Sequence, residues 1–414
     1  MYLTRTPLRV SFFGGGSDYP VWYREEGGAV LSTAIDKYIY VSCRYLPPFF
    51  SVRHRIVWRH VELVDSIAEI LHPAVRQGLQ DLGFDDDRGI ELHYQGDLPA
   101  RSGMGSSSSF VVGLIQALMC LRGEVVTKER LADMAIHLER DVMNETVGSQ
   151  DQVAAAFGGL NVIRFRPDDS YEVEPLALPA EREDELMAHL MLVFPGQNRI
   201  ASSVARDVAC NLHKQADNVR RMMALVDEGA EILRNGDVAD FGALLHEAWE
   251  RKRQISHRVS TPRIDELYAA ARASGADGGK LLGAGGAGFM LFFAKPERQE
   301  AVRTALSHCL HVPLGIDHGG ARRIYASEEP GLSGSTGRVV AHRQRWCMLG
   351  GRRAAETAGP ERLPCPDRRP VALGPLFGYA NYRIGGAMGR MAPVGECMGV
   401  VLWTDLAMQD PRGH

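Results

Sequence analysis

The sequence lacks the features of several protein classes. Its 414 residues include only seven cysteines, with no Cys-x-x-Cys pair, and its histidines show no metal-ligand spacing, which argues against a zinc site or a disulfide framework. No apolar run approaches the ~20 residues of a membrane helix, and no basic-then-apolar leader precedes the first strand-like residues. The net charge of −4 gives no electrostatic reason to expect nucleic acid. We therefore expect a cytoplasmic protein without a membrane or nucleic-acid partner.

Composition and charge divide the chain near residue 330. Hydrophobic residues make up 45% and charged residues 24%, close to the average of globular proteins. Residues 331–414 contain 11 arginines, no lysine and 6 acidic residues, a net charge of +5, so residues 1–330 carry −9. This tail is rich in glycine and proline and has no sustained periodicity, which predicts disorder. A shifted reading frame past the native end of the protein would give a similar composition.

The first 330 residues mix predicted strands and helices without a regular βαβ alternation, which favours the α+β class. A charged stretch at 181–185 predicts a boundary between residues 1–185 and 186–330. Alternating or β-branched patterns predict strands at 8–13, 30–43, 90–94, 189–194 and 289–293. Apolar periodicity and capping residues predict helices at 110–121, 128–143 after a Thr127 cap, 150–157, 202–234 and 238–255 after an Asp237 cap, with another opening at Thr261-Pro262.

The segment 98–109 (LPARSGMGSSSS) is a predicted phosphate site. It leads directly into the apolar helix at 110–121. Glycines let backbone amides approach an anion, and the first turn of a helix has unpaired N–H groups at the positive end of its dipole. The serine hydroxyls can donate to phosphate or bind Mg²⁺. The alternative is a flexible connector, which would rarely lead straight into so apolar a helix. No lysine follows Gly105, so the segment is not a P-loop.

Two further glycine clusters are weaker signals when each is taken alone. Residues 14–16 (GGG) follow the strand predicted at 8–13, and residues 283–288 (GAGGAG) lead into the strand predicted at 289–293. Either cluster could be only a turn or a bulge.

Together the three glycine segments resemble the three signatures of the GHMP kinases, the family of galactokinase, homoserine kinase, mevalonate kinase and phosphomevalonate kinase. The matching segments are 6–19, 99–108 and 283–288, in the order that the family has them, and the resemblance covers about residues 1–327. It implies an N-terminal ATP-binding domain of the ribosomal-protein-S5-domain-2-like fold and a C-terminal ferredoxin-like domain, with the active site between them. ATP and Mg²⁺ are the implied cofactors.

A departure within the first signature indicates a branch of the family. Galactokinases carry Glu-His where this sequence has Gly15-Gly16. The Gly-Gly-Gly-Ser-Asp form resembles the branch with D-glycero-D-manno-heptose 7-phosphate kinase and L-fucose kinase, as do residues 148–152 and 157–160. The implied reaction phosphorylates the anomeric hydroxyl of that heptose phosphate to the 1,7-bisphosphate, for nucleotide-activated heptose. The alternatives are a kinase for another sugar, such as L-fucose or a galactose-like sugar, and a non-catalytic sensor of ATP and sugar.

Four residues are implicated in catalysis and metal binding. Asp151 opens the helix predicted at 150–157, where a carboxylate can orient a sugar hydroxyl, although alone it would be interpreted as a helix cap. The resemblance implies that Asp151 is the catalytic base and Arg9 a cation that steadies developing charge. It assigns Mg²⁺ binding to Glu139 and Ser107. Without the resemblance, Glu139 would be a solvated carboxylate on a helix and Arg9 an outward-facing strand residue.

The resemblance also assigns contacts with the two substrates. Asp18 is the implied partner of sugar hydroxyls, with Gly15, Gly16 and Ser17 beside it. A sugar phosphate needs a cation for its distal phosphate, and Arg199 is the candidate, although a solvated surface role suits it equally well. The implied nucleotide contacts are Pro99, Ser102, Gly103, Met104, Gly105, Ser106, Ser107, Ser108, Gly283, Gly285 and Gly286.

Overall fold

The computed structural model describes residues 1–196 and 202–327, and its mixture of helices and mainly antiparallel strands confirms the α+β class. The chain begins with β1 (Tyr2–Phe13), α1 (Pro20–Glu26), β2 (Gly28–Tyr45), β3 (His54–Val57), β4 (Val61–Val64), α2 (Pro73–Asp81), β5 (Ile90–Gly96) and α3 (Ser106–Leu121). It continues with α4 (Lys128–His137), α5 (Gln150–Phe157), β6 (Leu160–Phe165), β7 (Tyr171–Pro175), α6 (Ala180–His189) and β8 (Leu190–Phe194). The remaining elements are α7 (Ser202–Asn211), α8 (Ala216–Asn235), α9 (Val238–Ile255), α10 (Pro262–Ala273), β9 (Ala276–Leu281), β10 (Met290–Ala294), α11 (Gln299–Ala305), β11 (Leu310–Val312) and β12 (Arg322–Ala326).

The strands form two sheets. The first has eight strands in the order β12-β1-β2-β5-β3-β4, with β6 paired to β2 and β7 paired to β6. The second has the order β11-β8-β10-β9, and all of its pairs are antiparallel. Because β12 pairs with β1, the end of the described chain returns to the first sheet.

Helix α3 docks on the first sheet through close, specific contacts. The Ser109 hydroxyl donates to the carbonyl of Pro7 at 2.9 Å, and the Thr4 hydroxyl donates to the carbonyl of Gly113 at 3.0 Å. A Cβ at Gly113 would lie 2.7 Å from the Thr6 hydroxyl, so only glycine allows this separation of helix and strand. These contacts fix the direction in which the N-terminus of α3 points.

Most predicted elements are confirmed, and the caps explain why. The Thr127 side chain accepts from the amide of Arg130 at the start of α4, and Asp237 accepts from Ala239 at the start of α9. Thr261 caps α10 in the same way. Helix α5 has the predicted bounds, and the predicted apolar helix at 110–121 begins four residues earlier, within the serine run.

The helix predicted at 202–234 is wrong as a single element. The structure divides it into α7, a short 3₁₀ turn at His213–Gln215 and α8. The His213 ring lies 5.6 Å from the Trp22 ring and its Nε2 contacts the carbonyl of Val21 at 2.8 Å. These partners are about 190 residues away along the chain, so apolar periodicity within the segment could not reveal the break.

Two other predictions need correction or remain open. The helix predicted at 128–143 ends at His137 and continues as one π-helical turn, Leu138–Val142. The charged stretch at 181–185 lies inside α6, and the domain boundary placed there stays a prediction. The predicted tail, 331–414, lies outside the described residues. Within the described ranges no helix combines the length and apolar character needed to cross a membrane.

Candidate active site

The three glycine segments meet around one cavity of about 230 Å³. Residues of the first segment, of the loop before α3 and of the loop after β9 all line it, and α5 and α9 add further side chains. Of the predicted site residues, the structure brings together in its lining Arg9, Gly15, Gly16, Asp18, Gly103, Gly105, Ser106, Ser107, Ser108, Asp151 and Gly283.

The N-terminus of α3 opens directly onto this cavity. Gly105 precedes the helix with a φ of 72°, and the amides of the first helical turn follow it. A Cβ at Gly105 would lie 3.2 Å from Oδ2 of Asp151 and 3.3 Å from Cγ of Arg9. The bare backbone therefore lets the helix terminus approach both side chains closely. The terminus is well placed to bind an anion.

The second and third glycine segments touch through backbone atoms. A Cβ at Gly103 would lie 2.5 Å from the carbonyl oxygen of Leu282, and one at Gly283 would lie 2.6 Å from Cα of Gly103. The amide of Phe289 donates to the carbonyl of Ser102 at 2.9 Å, which joins the same two segments. The third segment thus packs directly against the predicted phosphate-binding loop.

Arg9 and Asp151 form a bidentate ion pair at the centre of the cavity. Nε and Nη2 of Arg9 donate to the two carboxylate oxygens of Asp151 at 2.7 and 2.8 Å, and Nη1 donates to the carbonyl of Gly103 at 2.7 Å. Only 5% of the Arg9 side chain is exposed, against 23% for Asp151. The guanidinium is fixed in place, whereas the carboxylate remains accessible from the cavity.

Asp18 lies beside this pair in a more deeply buried position. The amide of Gly16 donates to its Oδ1 at 2.9 Å, and a Cβ at Gly148 would lie 1.8 Å from Oδ2, so this backbone packs directly on the carboxylate. Burial raises the pKa of Asp18, the Gly16 amide offsets part of the rise, and the charge of Asp151 adds to it. A sugar hydroxyl that donates to Asp18 would replace the solvation that burial removes.

Glu139 lies behind the serine run, in the π-helical turn that follows α4. It is 1% exposed and accepts a hydrogen bond from Nε2 of Gln152. Burial raises the pKa of Glu139 to about 7, although hydrogen bonds from Ser108, Gln152 and Ser107 lower it in part. A carboxylate next to hydroxyl oxygens fits Mg²⁺, which keeps several ligands for water and substrate phosphates. No cluster of three or more His, Cys, Asp or Glu side chains suited to a metal occurs in the described ranges.

The other predicted site residues lie close to the cavity or outside the described ranges. The Ser17 hydroxyl bonds to the carbonyls of Gly14 and Ala29 at 2.8 and 2.9 Å, which gives it a role in holding the turn rather than a free group for a sugar. Met104 is fully buried and its carbonyl accepts from the Arg9 amide. Arg199 lies outside the described residues.

Of the remaining nucleotide candidates, Pro99 is exposed on the loop and Gly285 and Gly286 hold the third segment in left-handed turns, with φ of 123° and 82°. Ser102 is fully buried, and its hydroxyl has no hydrogen-bond partner in the part of the chain that the structure describes.

Sequence reasoning missed two lysines in the cavity wall. Lys252 on α9 and Lys280 on β9 are 9% and 4% exposed. It also missed two buried polar atoms on residues that line the same cavity, the Ser11 hydroxyl and the Gln150 side-chain oxygen. Neither atom has a hydrogen-bond partner among the described residues. Lys280 lies three residues before Gly283, the first residue of the third glycine segment, and Gln150 directly precedes Asp151. Their positions close to predicted site residues are the signal that could have identified Lys280 and Gln150 as candidates.

A helix terminus that faces a fixed cation and an accessible carboxylate has the groups that a phosphoryl-transfer enzyme needs, for positioning its substrates and for stabilising charge. Comparisons agree with this class. The family model described as "GHMP kinases N terminal domain" matches residues 64–159, and the model described as "GHMP kinases C terminal" matches residues 230–311. The chain belongs to the GHMP kinase family, as the three signatures predicted, and is an ATP-using phosphotransferase of the sugar-kinase type.

Individual relatives cover most of the described chain. The sequence is 29% identical over 314 residues to D-glycero-alpha-D-manno-heptose 7-phosphate kinase of Campylobacter jejuni, covering 73% of this chain and 92% of that protein. It is 27% identical over 330 residues to the bifunctional fucokinase/GDP-fucose pyrophosphorylase of Arabidopsis thaliana, covering 72% of this chain but only 30% of that protein. A solved D-glycero-D-manno-heptose 1-phosphate kinase from Bacteroides thetaiotaomicron has the same fold, with a TM-score of 0.66, 24% identity, and coverage of 79% of this chain and 100% of that one.

The contact between glycine segments predicts a measurable difference between two alanine variants. Gly283 and Gly123 have nearly the same φ, 72° and 76°, but a Cβ at Gly123 would have no atom within 4 Å. Both variants should lose about 1–2 kcal/mol from left-handed strain, and Gly283→Ala should lose a further ~1–3 kcal/mol from overpacking. Urea unfolding measures both losses, and calorimetric titration should show weaker ATP binding for Gly283→Ala alone. Equal losses in the two variants would contradict the contact.

Proposed function

We propose that this enzyme transfers the γ-phosphoryl group of ATP to the anomeric hydroxyl of D-glycero-D-manno-heptose 7-phosphate and forms the 1,7-bisphosphate. The observation that carries the phosphoryl-transfer part is the bidentate pair of Arg9 and Asp151 against the N-terminus of α3. The choice of sugar is supported by the 29% identity with the heptose 7-phosphate kinase.

The proposed reaction uses the hydrogen-bond acceptor positions of the Asp151 carboxylate that Arg9 leaves free. Arg9 occupies one acceptor position on each oxygen, so further lone pairs remain for a sugar hydroxyl. As the new bond from the sugar oxygen to phosphorus forms and the bond to the β-phosphate oxygen breaks, the hydroxyl proton passes to Asp151. Arg9 and the amides at the start of α3 stabilise the negative charge of the transferring group.

Glu139 and Ser107 are the residues that we propose to hold Mg²⁺. The ion would neutralise charge on the β- and γ-phosphates when bound. The buried Glu139 carboxylate faces the start of α3, where the triphosphate is expected, and Ser107 is on the first turn of that helix. Both residues supply the kind of oxygen ligand that Mg²⁺ prefers, and they would hold the ion near the nucleotide.

The sugar side of the cavity has polar groups and free space. Asp18, the Ser11 hydroxyl and the Gln150 side-chain oxygen can take hydrogen bonds from sugar hydroxyls. Gly15 and Gly16 present no side chain where galactokinases carry Glu-His, which leaves room for an acceptor with a longer carbon chain than a hexose. These features support the heptose 7-phosphate as the sugar substrate. On the sequence argument alone, we propose that Arg199 binds its distal phosphate.

Asp151→Asn tests the proposed base. Asparagine keeps the shape and one acceptor oxygen for Arg9 but cannot accept the proton, so kcat should fall at least ~100-fold. The dissociation constant for ATP, measured by calorimetric titration, should change little. Asp184→Asn, at an exposed position on α6, serves as the matched control and should keep normal turnover. Near-normal turnover of Asp151→Asn would remove this residue from the mechanism.

A substrate panel tests the proposed sugar. We expect a coupled ADP-release assay to give a kcat/KM at least ~10-fold higher for the heptose 7-phosphate than for the unphosphorylated heptose, L-fucose or galactose, because a bound phosphate adds charged contacts. Phosphorus NMR of the product should show a new phosphate on the anomeric carbon. A preference for L-fucose would favour the second branch of relatives, and ATP binding without turnover on any sugar would favour the sensor.

A further inference from the structure

Two buried lysines in the cavity wall, Lys252 and Lys280, form no ion pair with any described residue. Nζ of Lys252 donates to the carbonyls of Leu281, at 3.0 Å, and Gly283, and Nζ of Lys280 donates to the carbonyl of Phe12 at 2.7 Å. Within residues 1–196 and 202–327, neither ammonium lies within 4.0 Å of a carboxylate oxygen. A buried ammonium without a counter-ion is costly, so two of them in one wall need an explanation.

Backbone tethering explains only part of their placement. Lys252 ties α9 to the third glycine segment, and Lys280 ties β9 to β1. A neutral hydrogen-bond donor could make the same contacts without burying a charge. The charge itself therefore points to a ligand that enters the cavity.

The charge of the whole lining agrees with an anionic ligand. Arg9, Arg101, Lys252 and Lys280 oppose only Asp18 and Asp151, which leaves an excess of two positive charges. Burial and the nearby Arg9 cation lower the pKa of Lys252 to about 7, and burial with the charges of Lys252 and Arg9 lowers the pKa of Lys280. The charge of Asp18 offsets only part of each shift. An incoming phosphate would raise the pKa of both lysines and so favour the charged forms that the lining presents.

Lys252 also lies where a phosphate is expected. Its ammonium bonds to Gly283, which touches Gly103, and Gly103 accepts a hydrogen bond from Arg9. Arg9 on β1 and Lys252 on α9 therefore reach the contact between the second and third glycine segments from different elements.

We propose that Lys252, supported by Lys280, forms an anion subsite of this cavity that holds a phosphate group during the reaction. The proposal rests on the proposed function, since a sugar kinase of this kind presents two candidate groups, the γ-phosphoryl of ATP and the distal phosphate of the sugar. Both are phosphate oxyanions that an ammonium can bind. Kinetics can distinguish them.

The test compares Lys252→Gln with Lys252→Arg and with a matched control, Lys214→Gln. Glutamine keeps an N–H donor for the backbone carbonyls but removes the charge, and arginine keeps the charge. Lys214 is exposed on the turn before α8, and its Nζ donates to Oδ1 of Asn211 at 3.4 Å. For each protein, kcat and KM are measured with ATP and with D-glycero-D-manno-heptose, in its 7-phosphate and its unphosphorylated form, and urea unfolding is followed in parallel.

Two results would support the subsite and identify its ligand. A rise of at least ~10-fold in KM for the 7-phosphate alone, in Lys252→Gln, assigns the subsite to the distal phosphate. A fall of at least ~10-fold in kcat on both sugars assigns it to the transferring phosphoryl group. In either case Lys252→Arg should recover a large part of the loss, and Lys280→Gln should show the same pattern more weakly.

Two results would overturn it. Kinetic constants of Lys252→Gln within twofold of the control would remove the charge from the reaction. Equal impairment of Lys252→Gln and Lys252→Arg would show that the lysine only tethers the backbone. A wild-type enzyme that prefers unphosphorylated sugar would refute the heptose 7-phosphate as substrate, and the kcat comparison on that sugar would still test the subsite.

Discussion

Direct backbone contact between the second and third glycine segments is the constraint on which the active site depends. Gly103 and Gly283 approach so closely that a Cβ on either would overlap backbone atoms of the other segment. Gly105, two residues further on, brings the start of α3 against Asp151 and Arg9 in the same way. Residues 180 positions apart along the chain thus form one part of the cavity lining. Their glycines serve for close approach rather than for flexibility.

Much of the fold could be predicted because its signals are local. The side-chain caps of Thr127 and Asp237 bond within their own helices, so the residue pattern alone marks those starts. The break at His213 could not be predicted, because it depends on contacts with the distant α1 region. The π-helical turn that carries Glu139 also escaped prediction, since apolar positions continue through it at nearly helical spacing.

The candidate site was predicted where motif order added information that single residues lack. Asp151 alone suggests a helix cap, but its position relative to the three glycine segments indicated the cavity in which the structure places it beside Arg9. Lys252 was missed because it lies on an ordinary amphipathic helix, where a lysine is normally solvated. Its burial follows from how α9 packs against β9 and the third glycine segment, which no local pattern encodes.

The distribution of charge suggests how substrate binding and catalysis are linked. Before substrates bind, Asp151 is held by Arg9, whereas Asp18, Lys252 and Lys280 are buried without an ion-pair partner in the described chain. Burial disfavours the charged form of each of these three groups, and the resulting pKa shifts have opposite signs for the acid and for the two bases. A ligand that brings both hydroxyl donors and phosphate oxygens relieves both kinds of penalty at once. A ligand with only one kind of group relieves only one kind of penalty, so this distribution of charge fits a pair of substrates that together carry hydroxyl donors and phosphate oxygens.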